Sequence, residues 1–202
     1  MPLITTLANA SARGYGGLRA AAGAANSYES IATVTVGSGG SSTITFSSIP
    51  STYKHLQVRG ISRSNRSASF ANVANFQFNS DTTKANYWSY HALGADGSTV
   101  SAFSAAEQNT AGVWGALSLS NNGLANTFAV FVTDILDYQN TNKYKVTRCL
   151  QGLDDNGGGW GDIKIVSGLW KSTSAISSIT IVDNTTNNFM QYSSFALYGI
   201  KG

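Results

Sequence analysis

Residues 163–202 carry the pattern that most restricts the fold. Ile179 and Ile181 lie on one side of an alternating run, and residues 193–200 alternate in the same way. Residues two apart share a face of a strand, so both runs read as strands with one buried face. The Asp- and Asn-rich segment 183–188 between them favours a turn. We therefore predict a hairpin here that closes a β-sandwich.

The rest of the chain repeats this pattern of short alternating runs separated by Gly, Asn and Asp turns. The first two runs, on either side of residues 37–41, read as a hairpin, and residues 99–110 read as a long loop. Only residues 18–25 show any helical period. We predict an all-β fold, a single antiparallel β-sandwich of the jelly-roll type. The alternating runs are 27–36, 42–47, 53–64, 73–79, 85–93, 112–119, 126–138, 143–150, 163–170, 176–182 and 193–200.

Residues 126–138 form the most apolar run of the chain. Val130 and Val132 lie on one face of the predicted strand, and Phe131 lies on the other. Because both faces are apolar, we predict that this strand is central in its sheet. Residues 53–64 differ, since His55 and its neighbours give that strand one polar face, as expected for an antiparallel sheet with one side in water.

The composition excludes several classes of protein. Only 11% of the residues are charged, against roughly 25% in ordinary globular proteins, while 42% are hydrophobic, which argues against disorder. The net charge of +3 is spread along the chain, so we expect no nucleic-acid binding. No apolar run is long enough for a membrane helix, and no signal peptide is recognisable. The single cysteine, Cys149, is expected to be a buried apolar residue.

Small side chains dominate residues 1–26, unlike the rest of the chain. We predict an N-terminal arm over 1–26, followed by one sandwich domain over 27–202. An arm rich in Ala and Gly can lie close to a neighbouring surface, where its arginines can pair with acidic or carbonyl groups. A flexible leader is the alternative. The residues expected to anchor the arm to a larger assembly or to neighbouring subunits are Leu3, Ile4, Leu7, Arg13, Tyr15 and Arg19.

The sequence contains no recognisable catalytic motif, so we predict that the chain is not an enzyme and needs no cofactor. His55 and His91 lie in neither a nucleophile elbow nor a zinc-protease helix. Asp134 and Asp137 fall on opposite faces of a strand, whereas a glycosidase needs two carboxylates that face each other. Oxygen ligands in residues 154–162 leave a calcium ion open, although their spacing matches no EF-hand loop.

Aromatic side chains are the best candidates for binding. Sandwich proteins that bind carbohydrate stack sugar rings on Trp and Tyr, and the same side chains are common at subunit interfaces. Burial in the core is an equal alternative for each of them. The candidates for glycan or interface contacts are Tyr87, Trp88, Tyr90, His91, Trp114 and Trp160.

Several segments of the sequence resemble tailed-bacteriophage virion proteins. The similarity covers roughly residues 27–202 and is carried by residues 27–36, 44–59, 134–145, 167–170 and 193–202. The most specific phrases are Leu-Asp-Tyr-Gln-Asn-Thr at 136–141 and Phe-Ala-Leu-Tyr-Gly-Ile at 195–200. No catalytic motif comes with the resemblance, so it assigns no site residues.

The resemblance implies a non-enzymatic jelly-roll subunit of a phage particle, made in the host cytoplasm and located in the virion. It also implies a homotrimer that contacts other virion proteins. Two placements stay open. The chain is either a tail-associated subunit (fibre, tip or baseplate) that touches host-surface carbohydrate, or a capsid decoration protein that clamps neighbouring head subunits. We favour the tail, because aromatic side chains and Asn/Gly loops suit glycan contact.

Overall fold

The computed structural model describes residues 27–88, 91–96, 98–104, 111–155 and 160–202, without the side chain of residue 160. These parts of the chain form two antiparallel sheets, and their only helix is a single 3-10 turn at Lys84–Asn86. The all-β prediction is therefore confirmed. The strands are β1 Tyr28–Thr35, β2 Thr43–Phe46, β3 His55–Ser62, β4 Ala71–Phe78, β5 Tyr87–Trp88, β6 His91–Ala95, β7 Val100–Ser104, β8 Val113–Leu119, β9 Ala129–Ile135, β10 Lys145–Asp155, β11 Trp160–Trp170, β12 Ile179–Asp183 and β13 Ser194–Ile200.

Eight of the strands have the connectivity of a jelly roll. The order β1-β13-β3-β9 in one sheet faces the order β2-β12-β4-β8 in the other. The pairs β1/β2, β3/β4, β8/β9 and β12/β13 are each split between the two sheets, which is the winding of a double-sheet jelly roll. The chain therefore crosses from sheet to sheet along most of its length.

This winding corrects two predicted hairpins. Strand β1 pairs with β13 and β2 pairs with β12, so the first two strands do not pair with each other. Strand β12 pairs with β2 and β4, whereas β13 pairs with β1 and β3, so the closing strands do not form a hairpin either. Alternation reports which face of a strand is buried. It does not identify the strand that pairs with it, because strands of both sheets point their apolar faces into the same core.

The large sheet continues beyond the jelly roll through β10, β11, β6 and β7, and β5 also pairs with β11. The hairpin of β10 and β11 is the backbone of this extension, with two strands of 11 residues each. Strand β7 corrects the prediction of a loop over 99–110 as far as Ser104. Residues 105–110 lie outside the described residues. Small polar side chains hid this strand, because they show no clear apolar alternation.

The core lies between the two sheets and is rich in aromatic rings. Phe76 and Phe131 meet edge to face across the sandwich, with ring centroids 6.2 Å apart, and Phe131 lies 5.9 Å from Phe195. Full burial of each such side chain stabilises the fold by about 1.5–3 kcal/mol. Strand β9 lies between β3 and β10, so its predicted central position is confirmed.

Candidate interaction surface

The outward side of the large sheet carries two rows of apolar side chains that cross its strands. One row follows the cross-strand partners Val132, Leu150, Ile165 and Leu93. The second row lies two residues away on each strand, because residues two apart share a face. It runs through Ile61, Val130, Gly152, Ile163, Ala95 and Val100. We call these two rows together the apolar band.

The apolar band and its margin expose more hydrophobic surface than a monomer normally shows. Leu93, Ile163 and Ile165 each leave more than half of their surface in water. A half-exposed side chain of this kind leaves roughly 80 Å² to water, so nine of them present on the order of 700 Å². The largest patch on a typical monomer is about 300–600 Å². The nine exposed side chains are Ile61, Leu93, Val100, Val130, Leu136, Val146, Leu150, Ile163 and Ile165.

A groove of about 690 Å³ borders the apolar band on one side. Its walls are mainly apolar, and they include Leu93, Phe103, Leu136 and Ile165. A smaller hollow of about 200 Å³ lies within the band itself, between Leu93, Val100, Leu150 and Ile163. The surface is therefore concave as well as apolar, and a protein partner can fill its hollows with side chains.

A polar row bounds the apolar band. Asp134 is its centre, because Gln57 donates to Oδ1 at 2.6 Å and Arg148 donates to Oδ2 at 2.7 Å. Arg59 extends this network: its Nε donates to Oε1 of Gln57, and its guanidinium lies 5.2 Å from the ring centroid of Tyr28. Arginine and tyrosine beside an apolar centre are the residue types that are enriched at protein interfaces.

Strand β8 supports this face from the opposite side of the sheet. The Gly115 carbonyl accepts hydrogen bonds from Thr133 on β9 and from the Cys149 thiol on β10. Burial raises the pKa of Cys149 to about 12, so the thiol stays protonated. Trp114 Nε1 also donates to Gln151 Oε1 on β10 at 3.1 Å. These cross-sheet bonds hold the strands below the band in a defined geometry.

A buried arginine holds the loop after β8. Nη1 of Arg63 donates to the carbonyls of Leu124 and Thr127 at 2.6 and 2.8 Å, and Nη2 donates to Gly123 at 2.8 Å. Asp155, at the end of β10, accepts from the Leu124 amide at 2.8 Å. Burial lowers the pKa of Arg63, and the nearby Asp155 carboxylate opposes that shift. The arginine therefore joins β10, β3 and the loop at one end of the sheet.

The predicted aromatic contacts do not form one platform. Tyr87 corrects the expectation of a surface contact: it is 1% exposed, and its hydroxyl donates to the Asp81 carbonyl at 2.9 Å. Trp114 is partly buried against the core. Trp88 and His91 are exposed, and Nζ of Lys171 lies 4.8 Å from the centroid of the Trp88 ring. Residue Tyr90 and the side chain of Trp160 lie outside the described residues, as do Leu3, Ile4, Leu7, Arg13, Tyr15 and Arg19.

The predicted carboxylate and histidine positions have structural partners. Asp137 pairs with Lys143 and lies 3.3 Å from Nζ of Lys54, and these contacts hold its pKa below the usual range. Nδ1 of His55 accepts from the Asp137 amide at 2.9 Å. Within the described residues, no three His, Cys, Asp or Glu side chains are grouped so that they could hold a metal. Residues 156–159 of the open calcium segment lie outside that description.

Sequence reasoning missed the apolar band, although part of its signal was visible. Val130 and Val132 lie opposite Phe131 in the sequence pattern, and this second apolar face by itself predicts only a central strand. Leu150 and Ile165 each face outward beside buried neighbours on β10 and β11. The decisive fact was the strand order, which places these side chains next to one another.

No helix among the residues that the structure describes is both long and apolar enough to cross a membrane. No protein-family model, curated protein or solved structure matches this chain.

Proposed function

We propose that this chain is a non-enzymatic structural subunit of a bacteriophage particle that assembles through the outward face of its large sheet. The observation that carries the proposal is the apolar band, which with its margin exposes on the order of 700 Å² of hydrophobic surface. That area is close to what one partner contributes to a standard protein interface, about 800 Å². A surface of this kind suits a protein whose task is to bind other proteins.

The resemblance of residues 27–202 to phage virion proteins is the second support. The two most specific phrases lie at structurally central places. Residues 136–141 form the turn that joins β9 to β10, and residues 195–200 fall within β13, between β1 and β3. Both phrases therefore belong to the sandwich that carries the apolar band.

Tail association is the placement that we propose. The exposed Trp88 ring beside Lys171, and His91 on the neighbouring strand, offer an aromatic and hydrogen-bonding contact for host-surface carbohydrate. With Tyr87 in the core, this contact is smaller than the sequence predicted. A capsid decoration protein is the second candidate, and the breadth of the apolar band favours it, since a decoration protein must cover and bind neighbouring subunits.

Immunogold labelling of purified particles tests the proposal. Antibody against residues 30–202 should label the particles encoded by the same genome as the chain. Label on the tail is the result that we expect, and even label over the head would replace tail association with capsid decoration. Particles without label, checked against a positive control for a known head protein, would refute the virion role altogether.

The carbohydrate contact needs its own test. The isolated chain should bind glycans of the host surface. Trp88→Ala should weaken that binding by at least tenfold, because stacking of a sugar ring depends on the aromatic face. Phe103→Ala is the matched control, since it removes an exposed ring elsewhere on the large sheet. Equal loss in both variants, or no binding by the parent chain, would remove carbohydrate from the proposal.

A further inference from the structure

We infer that the apolar band binds the same band of a second copy of this chain. The two copies are related by a two-fold axis that lies between them, at right angles to β10 and level with Gln151. The inference deepens the proposed function and rests on it, because it names the partner of the same surface. A two-fold interface is isologous, so each residue must complement the residue that symmetry brings opposite it. The outward residues of β10, β11 and β6 meet that requirement.

The outward side of β10 is arranged symmetrically about Gln151. Leu150 and Gly152 flank the centre, while Arg148 and Asp154 lie three residues away on either side, about 10 Å from it. Rotation about this axis reverses the direction of β10, so the β10 strands of the two copies lie antiparallel to each other. It therefore places Arg148 of each copy opposite Asp154 of the other. Both residues are exposed, so the pairing forms two interchain ion pairs.

The apolar rows also meet each other under the same rotation. Leu150 of one copy falls opposite Gly152 of the other, a large side chain against none. In the adjacent strands Ile165 falls opposite Ile163, and Leu93 falls opposite Ala95, as the registers of β10, β11 and β6 require. Two sheets that pack face to face interdigitate in this way at a spacing of about 10 Å.

Area favours a second copy over a short segment as the occupant. The apolar band and its margin present on the order of 700 Å², close to the roughly 800 Å² that a standard interface buries on each partner. A two-fold pairing covers both rows at once, and on β3 it brings Ile61 of one copy opposite Arg59 of the other. A single extended segment would cover only one groove of the surface.

The first test is the mass of the full chain in solution. Light scattering after gel filtration, at roughly 10–100 µM because interfaces of this size span micromolar to picomolar affinities, should give about 42 kDa, twice the 21.2 kDa of one chain. Leu150→Glu should return the mass to one chain by burying a charge at the centre. Thr45→Glu, an exposed strand position on the small sheet, is the matched control and should leave the dimer intact. A monomeric parent chain, or a trimer of about 64 kDa, would overturn the two-fold pairing.

A charge exchange tests the predicted register. Asp154→Arg places arginine opposite arginine, and Arg148→Asp places aspartate opposite aspartate, so each variant alone should dimerise at least tenfold more weakly than the parent. An equimolar mixture of the two should recover the parent affinity, because the mixed dimer has both ion pairs, one as in the parent and one with its charges exchanged. Thermal melts of each variant check its fold, since Arg148 also pairs with Asp134 within the chain. No recovery on mixing would overturn the register.

These outcomes separate the inference from the proposed function. A monomer that is nevertheless labelled on particles would refute the two-fold pairing and leave the virion role standing. A dimer that is absent from every particle would refute the virion role and leave the two-fold pairing standing.

Discussion

Arg63→Met should destabilise the isolated chain by about 3–5 kcal/mol, because it removes a buried charge from a network that depends on it. The guanidinium makes three hydrogen bonds of 2.6–2.8 Å to carbonyls of the loop after β8. Hydrogen bonds to charged groups contribute about 1.5–3 kcal/mol each, and the cost of burying the arginine offsets part of that sum. Loss of the arginine also leaves Asp155 as an uncompensated buried charge.

Urea unfolding, followed by tryptophan fluorescence at a concentration below dimerisation, measures this change. Arg63→Lys is the informative control, because an ammonium keeps the charge but lacks the planar fork that reaches several carbonyls at once. We expect it to recover about half of the loss. The double variant Arg63→Met/Asp155→Asn should lose less than the sum of the two single variants, because the unpaired carboxylate is then absent. A loss below about 1 kcal/mol for Arg63→Met would refute the reasoning.

Three further predictions follow from the same structure. Phe131→Ala should cost about 3–5 kcal/mol in urea unfolding, whereas Val130→Ala, one residue away on the outward face, should cost less than about 1 kcal/mol in the monomer; similar losses would contradict the assigned faces. Cys149 should resist thiol reagents in the folded chain and react at once in denaturant, because burial raises its pKa to about 12; rapid labelling of the native chain would show that β10 opens. The lowered pKa of Asp137 means that its ionised form contributes stability above the ordinary carboxyl pKa of 3.8 and that this contribution is lost as pH falls through the lower folded pKa. Parent chain should therefore lose more stability than Asp137→Asn on acidification from pH 5 to about 2, and parallel pH curves would contradict the ion pairs with Lys143.

The fold class was readable in the sequence because each strand has a period of two. Leu56 and Val58 are fully buried, and Ile179 and Ile181 are buried together, as their alternation predicts. Asn/Gly segments such as 121–123 also mark real turns between strands. These are local properties, so a single sequence contains them.

The pairing of strands was not readable, because it depends on contacts between residues far apart in the chain. Strand β1 pairs with β13, from Tyr28 opposite Ile200 to Thr35 opposite Ser194. Nothing in the local pattern of residues 27–36 distinguishes this partner from the next strand along the chain. The two predicted hairpins were wrong for this reason.

The candidate surface was missed for a related reason. A strand with apolar residues on both faces, such as β9, is typical of the centre of a sheet covered on both sides. Here the second face is open in one copy, and its apolar character becomes meaningful only when β10, β11 and β6 are placed beside it. Arg63 was hidden in the same way, because the carbonyls that accept its hydrogen bonds follow it by some 60 residues.

Thiol protection on assembled particles tests the central claim most directly. Ile165→Cys places a reporter at the centre of the apolar band, and Thr45→Cys places a matched reporter on the outward side of the small sheet. The buried Cys149 gives no background in the folded chain. The account predicts that the cysteine at 165 reacts in the dissociated chain but is protected in purified particles, while the cysteine at 45 reacts in both. Equal reactivity of both cysteines in the particle would mean that the apolar band is not an assembly surface.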